Sequence, residues 1–237
     1  MNMNAEPNNQ EHQDKEKFLV QISDESFNFR NVYFNDPKVT GLQVAMEVGV
    51  HPVEDFVILQ WLKSLELETI RPSELIDLNS HTKIFIIKGD RTYRFVVDGL
   101  NLEWPLARIS GLTIKRLLEK DKENADLILE RENIPDQIIE DDENVQLSEQ
   151  GVEHFKIVPL KISIIVNGRP REVNKKHLSF DEIVHLAFDS VPVGQNISYT
   201  ITYRRGPSAN PEGEMQIDAI IIIKNGMIFN VTATNKS

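Results

Sequence analysis

The sequence predicts an α+β protein made of three tandem modules, each a small sheet crossed by one short helix. Two observations carry this reading. One short pattern occurs three times: Thr40-Gly41-Leu42-Gln43-Val44-Ala45-Met46, Ser110-Gly111-Leu112-Thr113-Ile114-Lys115-Arg116, and Ser179-Phe180-Asp181-Glu182-Ile183-Val184-His185. Their first residues lie 70 and then 69 positions apart, the kind of internal period that marks a repeated structural unit. The flanks also repeat in a fixed order, with two strand-like runs before each pattern and two or three after it.

Each pattern opens on a hydroxyl residue that can cap a helix by accepting from a free backbone N–H. Thr40 with Gln43, and Ser179 with Glu182, have capping-box spacing. Apolar residues follow at helical intervals, as in Leu42, Ala45, Met46 and in Phe180, Ile183, Val184, Ala187, so each helix has one buried face. Ahead of them the strand-like runs are residues 18–22 with 27–34, 93–97 with 100–104, and 162–166 with 171–173. The last two pairs are joined by Asp98-Gly99 and Asn167-Gly168, dipeptides that tolerate the positive φ of tight hairpins. Behind the helices come runs at 56–62, 127–131 and 199–203, and each repeat closes on another, at 83–87, 153–158 and 227–232. Trp61 and Trp104 sit inside such runs and read as core anchors. Lys88-Gly89-Asp90 and Val158-Pro159 are all that separates one repeat from the next. The modules are therefore 17–90, 91–159 and 160–237, after a disordered tail, 1–16, whose polar composition cannot bury a core.

Composition narrows the chemistry. The 237 residues include no cysteine, which excludes disulfides, thiolate zinc sites and a cysteine nucleophile. The longest apolar stretches, such as Ala219-Ile220-Ile221-Ile222-Ile223, are strand-sized, too short to cross a membrane as a helix. Residues 1–16 lack the apolar core of a signal peptide, so a cytoplasmic location is expected. The net charge is −11, a field that repels a phosphate backbone. Lys175-Lys176 and Arg204-Arg205 give the last third local positive patches, and solvated faces account for them.

No active site emerges. None of the six histidines has a partner at the i, i+4 spacing of two ligands on one helix face. His177 and His185 flank the third helix with Asp181 and Glu182 between them, but a loop and a helix-surface histidine are the simpler reading. Ser179 already serves as a cap. The run Glu140-Asp141-Asp142-Glu143 lacks the alternating ligands and central glycine of a calcium loop, which leaves a solvated loop. There is no phosphate-binding glycine loop of either common type. A chain with no metal, no cofactor and no enzymatic activity of its own is expected.

Several stretches carry a resemblance. Asp55-Phe56-Val57-Ile58-Leu59-Gln60-Trp61-Leu62, Ile70-Arg71-Pro72 and Ile76-Asp77-Leu78 resemble the first repeat of the bacterial multi-ubiquitin family. Gly89-Asp90-Arg91-Thr92-Tyr93 and Gly151-Val152-Glu153-His154-Phe155 resemble its second repeat. Tyr203-Arg204-Arg205-Gly206 and the ending Gly226-Met227-Ile228-Phe229-Asn230-Val231-Thr232-Ala233-Thr234 are similar to its third. The resemblance covers residues 17–237 and implies three tandem β-grasp modules, the fold of ubiquitin. It also implies a protein modifier whose partners are an activating enzyme, a conjugating enzyme, a deconjugating peptidase and target proteins, from operons linked to antiviral defence.

Such chemistry runs through a C-terminal carboxylate on a tail beyond the last strand. With a closing strand at 227–232, the conjugation tail is Ala233, Thr234, Asn235, Lys236 and Ser237. It is small and polar, and it departs from ubiquitin in lacking a final Gly-Gly. The resemblance places a partner-binding surface on the sheet face, here Thr200, Thr202 and Arg204 with Arg205 beside them. The rival is a non-conjugated scaffold that recruits proteins through those faces. A sulfur carrier is disfavoured, because its β-grasp members also end in Gly-Gly.

Overall fold

The computed structural model describes residues 17–78, 82–120, 124–148, 151–192, 194 and 196–235. The expected tail 1–16, His12, His81, Lys236 and Ser237 lie outside the described residues. The first repeat runs β1 (Phe18–Ser23), β2 (Arg30–Phe34), β3 (Lys38–Thr40), α1 (Gly41–Glu47), β4 (Phe56–Trp61), β5 (Leu67–Ile70), β6 (Leu75–Asp77) and β7 (Thr82–Lys88). The second repeats that order as β8 (Tyr93–Val97), β9 (Leu100–Trp104), β10 (Arg108–Ser110), α2 (Gly111–Leu117), β11 (Ala125–Glu130), β12 (Gln137–Ile139), β13 (Asn144–Gln146) and β14 (Glu153–Pro159). The third follows as β15 (Ile162–Val166), β16 (Arg169–Val173), β17 (His177–Ser179), α3 (Phe180–Ala187), β18 (Ile197–Arg204), β19 (Glu212–Met215), β20 (Ile220–Ile222) and β21 (Ile228–Asn235).

Three five-stranded sheets share one topology: β2-β1-β7-β4-β5, β9-β8-β14-β11-β12 and β16-β15-β21-β18-β19. In each, the opening and closing strands lie side by side at the centre and parallel, so the chain must cross over between them through the helix. The registers match: Ser23 opposes Phe85, Val97 opposes Phe155, and Val166 opposes Phe229. All three phenylalanines are buried. A two-stranded pair, β3–β6, β10–β13 or β17–β20, flanks each helix in sequence. These are three β-grasp modules, as the repeat predicts.

The helices are held by their first residues. Thr40 accepts from the Gln43 N–H while the Gln43 side chain accepts from the Thr40 N–H, a complete capping box. Ser179 and Glu182 form the same box. Ser110 caps α2 from one side only, accepting from the Thr113 N–H. Gly41 and Gly111 open their helices because a Cβ there would lie 2.7 Å from the Arg71 carbonyl oxygen and 2.4 Å from that of Glu140. The third repeat instead starts with Phe180, which joins the core formed by Ile164, Val166, Leu178, Ile183, Val184, Ile201 and Phe229. Val20, Ile22, Val44, Ala45, Ile58, Ile84 and Ile86 form the matching core of the first repeat.

By their contacts, the described residues gather into two compact units, one up to Arg94 with Leu100–Ala107, the other Phe95–Gly99 with Arg108 onward. The first unit buries the second face of its sheet too. Trp104 stacks on Phe27 at 6.2 Å and meets Phe85 edge-on at 5.7 Å, with Phe29 and Trp61 completing the cluster. Such pairs contribute roughly 0.5–1.5 kcal/mol each beyond their buried area. This corrects the expected strand at 27–34, since β2 begins only at Arg30. Phe27 has φ +61, outside any strand, which lets its ring reach Trp104.

In the second unit, two expectations change. The acidic run is no merely solvated loop. Asp141 holds the fully buried ammonium of Lys115 at 2.8 Å, Glu140 pairs with Lys176 at 2.9 Å, and Glu143 accepts from the Gln137 side chain. Burial pulls the Lys176 ammonium down. Its bond to Glu140, with Asp141 and Asp126 nearby, outweighs this and leaves its pKa above the ordinary lysine value. Val158-Pro159 is also no linker, because both residues pair with β11, opposite Asp126 and Ala125. The joint is Leu160, whose N–H donates to the Asn124 carbonyl while its side chain enters the third core.

Gly111→Ala should cost about 1–3 kcal/mol, because the new methyl meets backbone rather than a movable side chain. Gly151→Ala, whose Cβ would make ordinary contacts at 3.6 Å, should be near neutral; denaturant midpoints compare the two. Removing the Asp141 carboxylate by Asp141→Ala strands Lys115 and should cost about 3 kcal/mol. Glu182 supplies a pH effect. Its bond from Lys175, then the Ser179 N–H, hold its carboxyl below the usual carboxylate range. A depressed folded pKa stabilises above the unfolded value and is lost as pH falls through the folded one. Glu182→Gln should therefore flatten the acid limb of stability below about pH 4.3, measured by thermal melts.

Candidate functional site

The third module brings the candidate residues onto two neighbouring strands. β18 and β21 run antiparallel at full length, from Arg204 opposite Ile228 to Ile197 opposite Asn235. Thr200 opposes Thr232 and Thr202 opposes Asn230, so these four share one face. All four are exposed, whereas Ile201, Phe229 and Val231 point into the core. Arg204 continues that face and sits opposite Glu212 of β19, as Thr202 sits opposite Glu214. Arg205 leaves the strand at φ +59 and is exposed in the turn beyond it. Three of the four expected surface residues thus lie in one row, and the fourth adjoins it.

The tail residues sit differently from the expectation. The closing strand ends at Asn235 rather than at Thr232, so Ala233, Thr234 and Asn235 are strand, opposite Tyr199, Ser198 and Ile197. The physical reason is that β18 starts at Ile197, two residues before the expected run, and offers backbone partners to its neighbour. Polar side chains hid this, since Val231 is the last large apolar residue of the strand.

Sequence reasoning also missed a pair of clasps. Asn167, a turn residue by its sequence, donates its N–H to the Phe229 carbonyl at 2.9 Å. Its side chain then takes over where β15 ends, accepting from the Val231 N–H at 2.7 Å and donating to the Val231 carbonyl at 3.0 Å. Asp98 does the corresponding work in the second repeat, donating its N–H to Phe155 and accepting from the Ile157 N–H at 3.2 Å. The signal was present in the sequence as the same Asx-Gly at matched positions of two repeats.

The remaining candidates are structural. Ser179 accepts from the Glu182 N–H, and the His185 ring bonds the Asp181 carbonyl within α3 at 2.7 Å. Lys175 is paired with Glu182 and Lys176 with Glu140, so the basic patch is internally neutralised. Among the described residues no group of three or more His, Asp or Glu is placed to hold a metal ion, and no helix is long and apolar enough to cross a membrane.

The Multiubiquitin family model matches the chain three times, over residues 26–90, 93–159 and 162–235. A search of curated proteins finds no match. Each match contains one helix and the closing strand of one sheet, the first beginning after β1.

Thr232→Pro and Thr234→Pro would each remove an N–H that strand alternation directs at β18. Either should lower the third module's melting temperature by several degrees, as expected for the loss of one or more hydrogen bonds from a domain this small. Unchanged melting in both would show that the closing strand ends before Thr232.

Proposed function

Because the chain belongs to the Multiubiquitin family, we propose that it is a tandem ubiquitin-like modifier, activated at its C-terminal carboxylate and conjugated to proteins. The observation that supports this most is the length of β21. It carries the backbone past the core of the third module in extended form, through the small residues Ala233, Thr234 and Asn235, toward Lys236 and Ser237. β18 already holds this segment extended, so an enzyme that takes up the residues beyond it spends little entropy on ordering the approach.

The chemistry follows from the carboxylate. In a cognate activating enzyme, one carboxylate oxygen attacks the α-phosphate of ATP and pyrophosphate leaves, giving an acyl-adenylate. A thiol of the enzymes then attacks the carbonyl carbon and expels AMP, giving a thioester, and a nucleophile of the target attacks that carbonyl and expels the thiolate. The reacting residue is Ser237 or one exposed by trimming. The proposed partners are the activating enzyme, a conjugating enzyme and a deconjugating peptidase, and the proposed setting is antiviral defence. The second reading, a non-conjugated scaffold, is favoured by the open polar row Thr200, Thr202 and Arg204.

Deleting Ala233–Ser237 should abolish ATP–pyrophosphate exchange by an activating enzyme encoded beside this chain. Lys236→Ala, which alters one exposed charge, should only weaken it. Intact-mass measurement of the reaction products checks both. A conjugate of unchanged mass increment formed without the tail would overturn the proposal in favour of the scaffold.

A further inference from the structure

The two clasps make the closing strands of the second and third repeats comparable residue by residue, and the comparison isolates one difference. Phe155 and Phe229 occupy the same register against their opening strands. Ile157 and Val231 then donate to Asp98 and Asn167. Two residues further on, Pro159 corresponds to Ala233. Because backbone groups alternate sides along a strand, the Ala233 N–H and the ring nitrogen of Pro159 both face the clasp side, away from β11 or β18. β15 reaches only to a register opposite Phe229, and Asn167 covers Val231. Beyond it, no strand among the described residues pairs with that side of β21.

Ala233 and Asn235 therefore present two N–H and two C=O groups along an open sheet edge. Open edges are templates for another strand, and proteins commonly block them with proline or charge. The second repeat is blocked: Pro159 has no N–H to give. The third, with Thr232-Ala233-Thr234-Asn235, carries neither device.

We infer that this edge is a docking site for one extended strand of the activating enzyme, which adds to β21 from the side opposite β18. The inference rests on the proposed conjugation, because the edge adjoins the tail that reaction would use. Main-chain pairing at Ala233 and Asn235 fixes the tail's direction and depth without reading its side chains. β18 keeps the segment extended meanwhile.

Ala233→Pro in the full-length chain tests this. It deletes only the outward N–H, and Pro159 shows that a proline is accommodated there. Its thermal melt should match that of the unaltered chain. Its kcat/KM in ATP–pyrophosphate exchange with the neighbouring activating enzyme should fall about 3- to 10-fold, the worth of one net hydrogen bond. Ala233→Ser, which keeps the N–H, should lose less activity than Ala233→Pro. Undiminished exchange in a folded Ala233→Pro chain overturns the edge while leaving conjugation standing. No exchange by the unaltered chain overturns the conjugation reading and this partner with it. A concentration-dependent dimer of the unaltered chain, seen by sedimentation and lost in Ala233→Pro, would overturn the assignment by giving the edge to a second copy.

Discussion

Everything in each module depends on two parallel strands meeting at the centre of its sheet. Parallel neighbours cannot be joined by a tight turn, so the chain must leave the sheet, cross one face and return. That requirement creates the helix, gives it one buried side, and sets the length of the repeat. The fixed point is a buried phenylalanine in the closing strand, Phe85, Phe155 or Phe229, each opposite the same position of the opening strand. The caps at Thr40, Ser110 and Ser179 secure the crossover at its start. The glycines at 41 and 111 let the backbone of a neighbouring loop come close enough to receive it.

The same arrangement decides where each repeat hands on to the next. A central closing strand has neighbours on both sides near its start and outlasts one of them. In the second repeat the surplus runs on through Pro159 to Leu160, whose side chain is already part of the third core. In the third, the surplus is Thr232 to Asn235, whose strand partner among the described residues is β18. One piece of geometry thus yields an internal joint in one copy and an extended tail in the other. Where Pro159 closes the open side of the second repeat, the third carries Ala233.

Much of this was legible because the repeat is short and its signals are local. The caps, the Asp98-Gly99 and Asn167-Gly168 turns, and strands β8 and β9 follow from residues within a few positions of one another. What was not legible depends on partners far away in sequence. Phe27 looks like the start of a strand until Trp104 is beside it. Asp141 looks like one more solvated acid until Lys115 arrives from 26 residues upstream. The extent of β21 follows from Ile197 and Ser198, which carry no mark of pairing with Asn235 and Thr234. The surface row Thr200, Thr202 and Arg204 was readable from alternation alone, since a strand buries every second side chain.

The account turns on a closing strand that is bonded on one side and open on the other. Residue-resolved amide hydrogen exchange of the full-length chain tests that directly. It predicts an alternating pattern, with Thr232 and Thr234 protected by β18 and Ala233 and Asn235 exchanging fast. Fast exchange at all four would mean a free tail, and slow exchange at all four would mean an edge already covered; either result contradicts it.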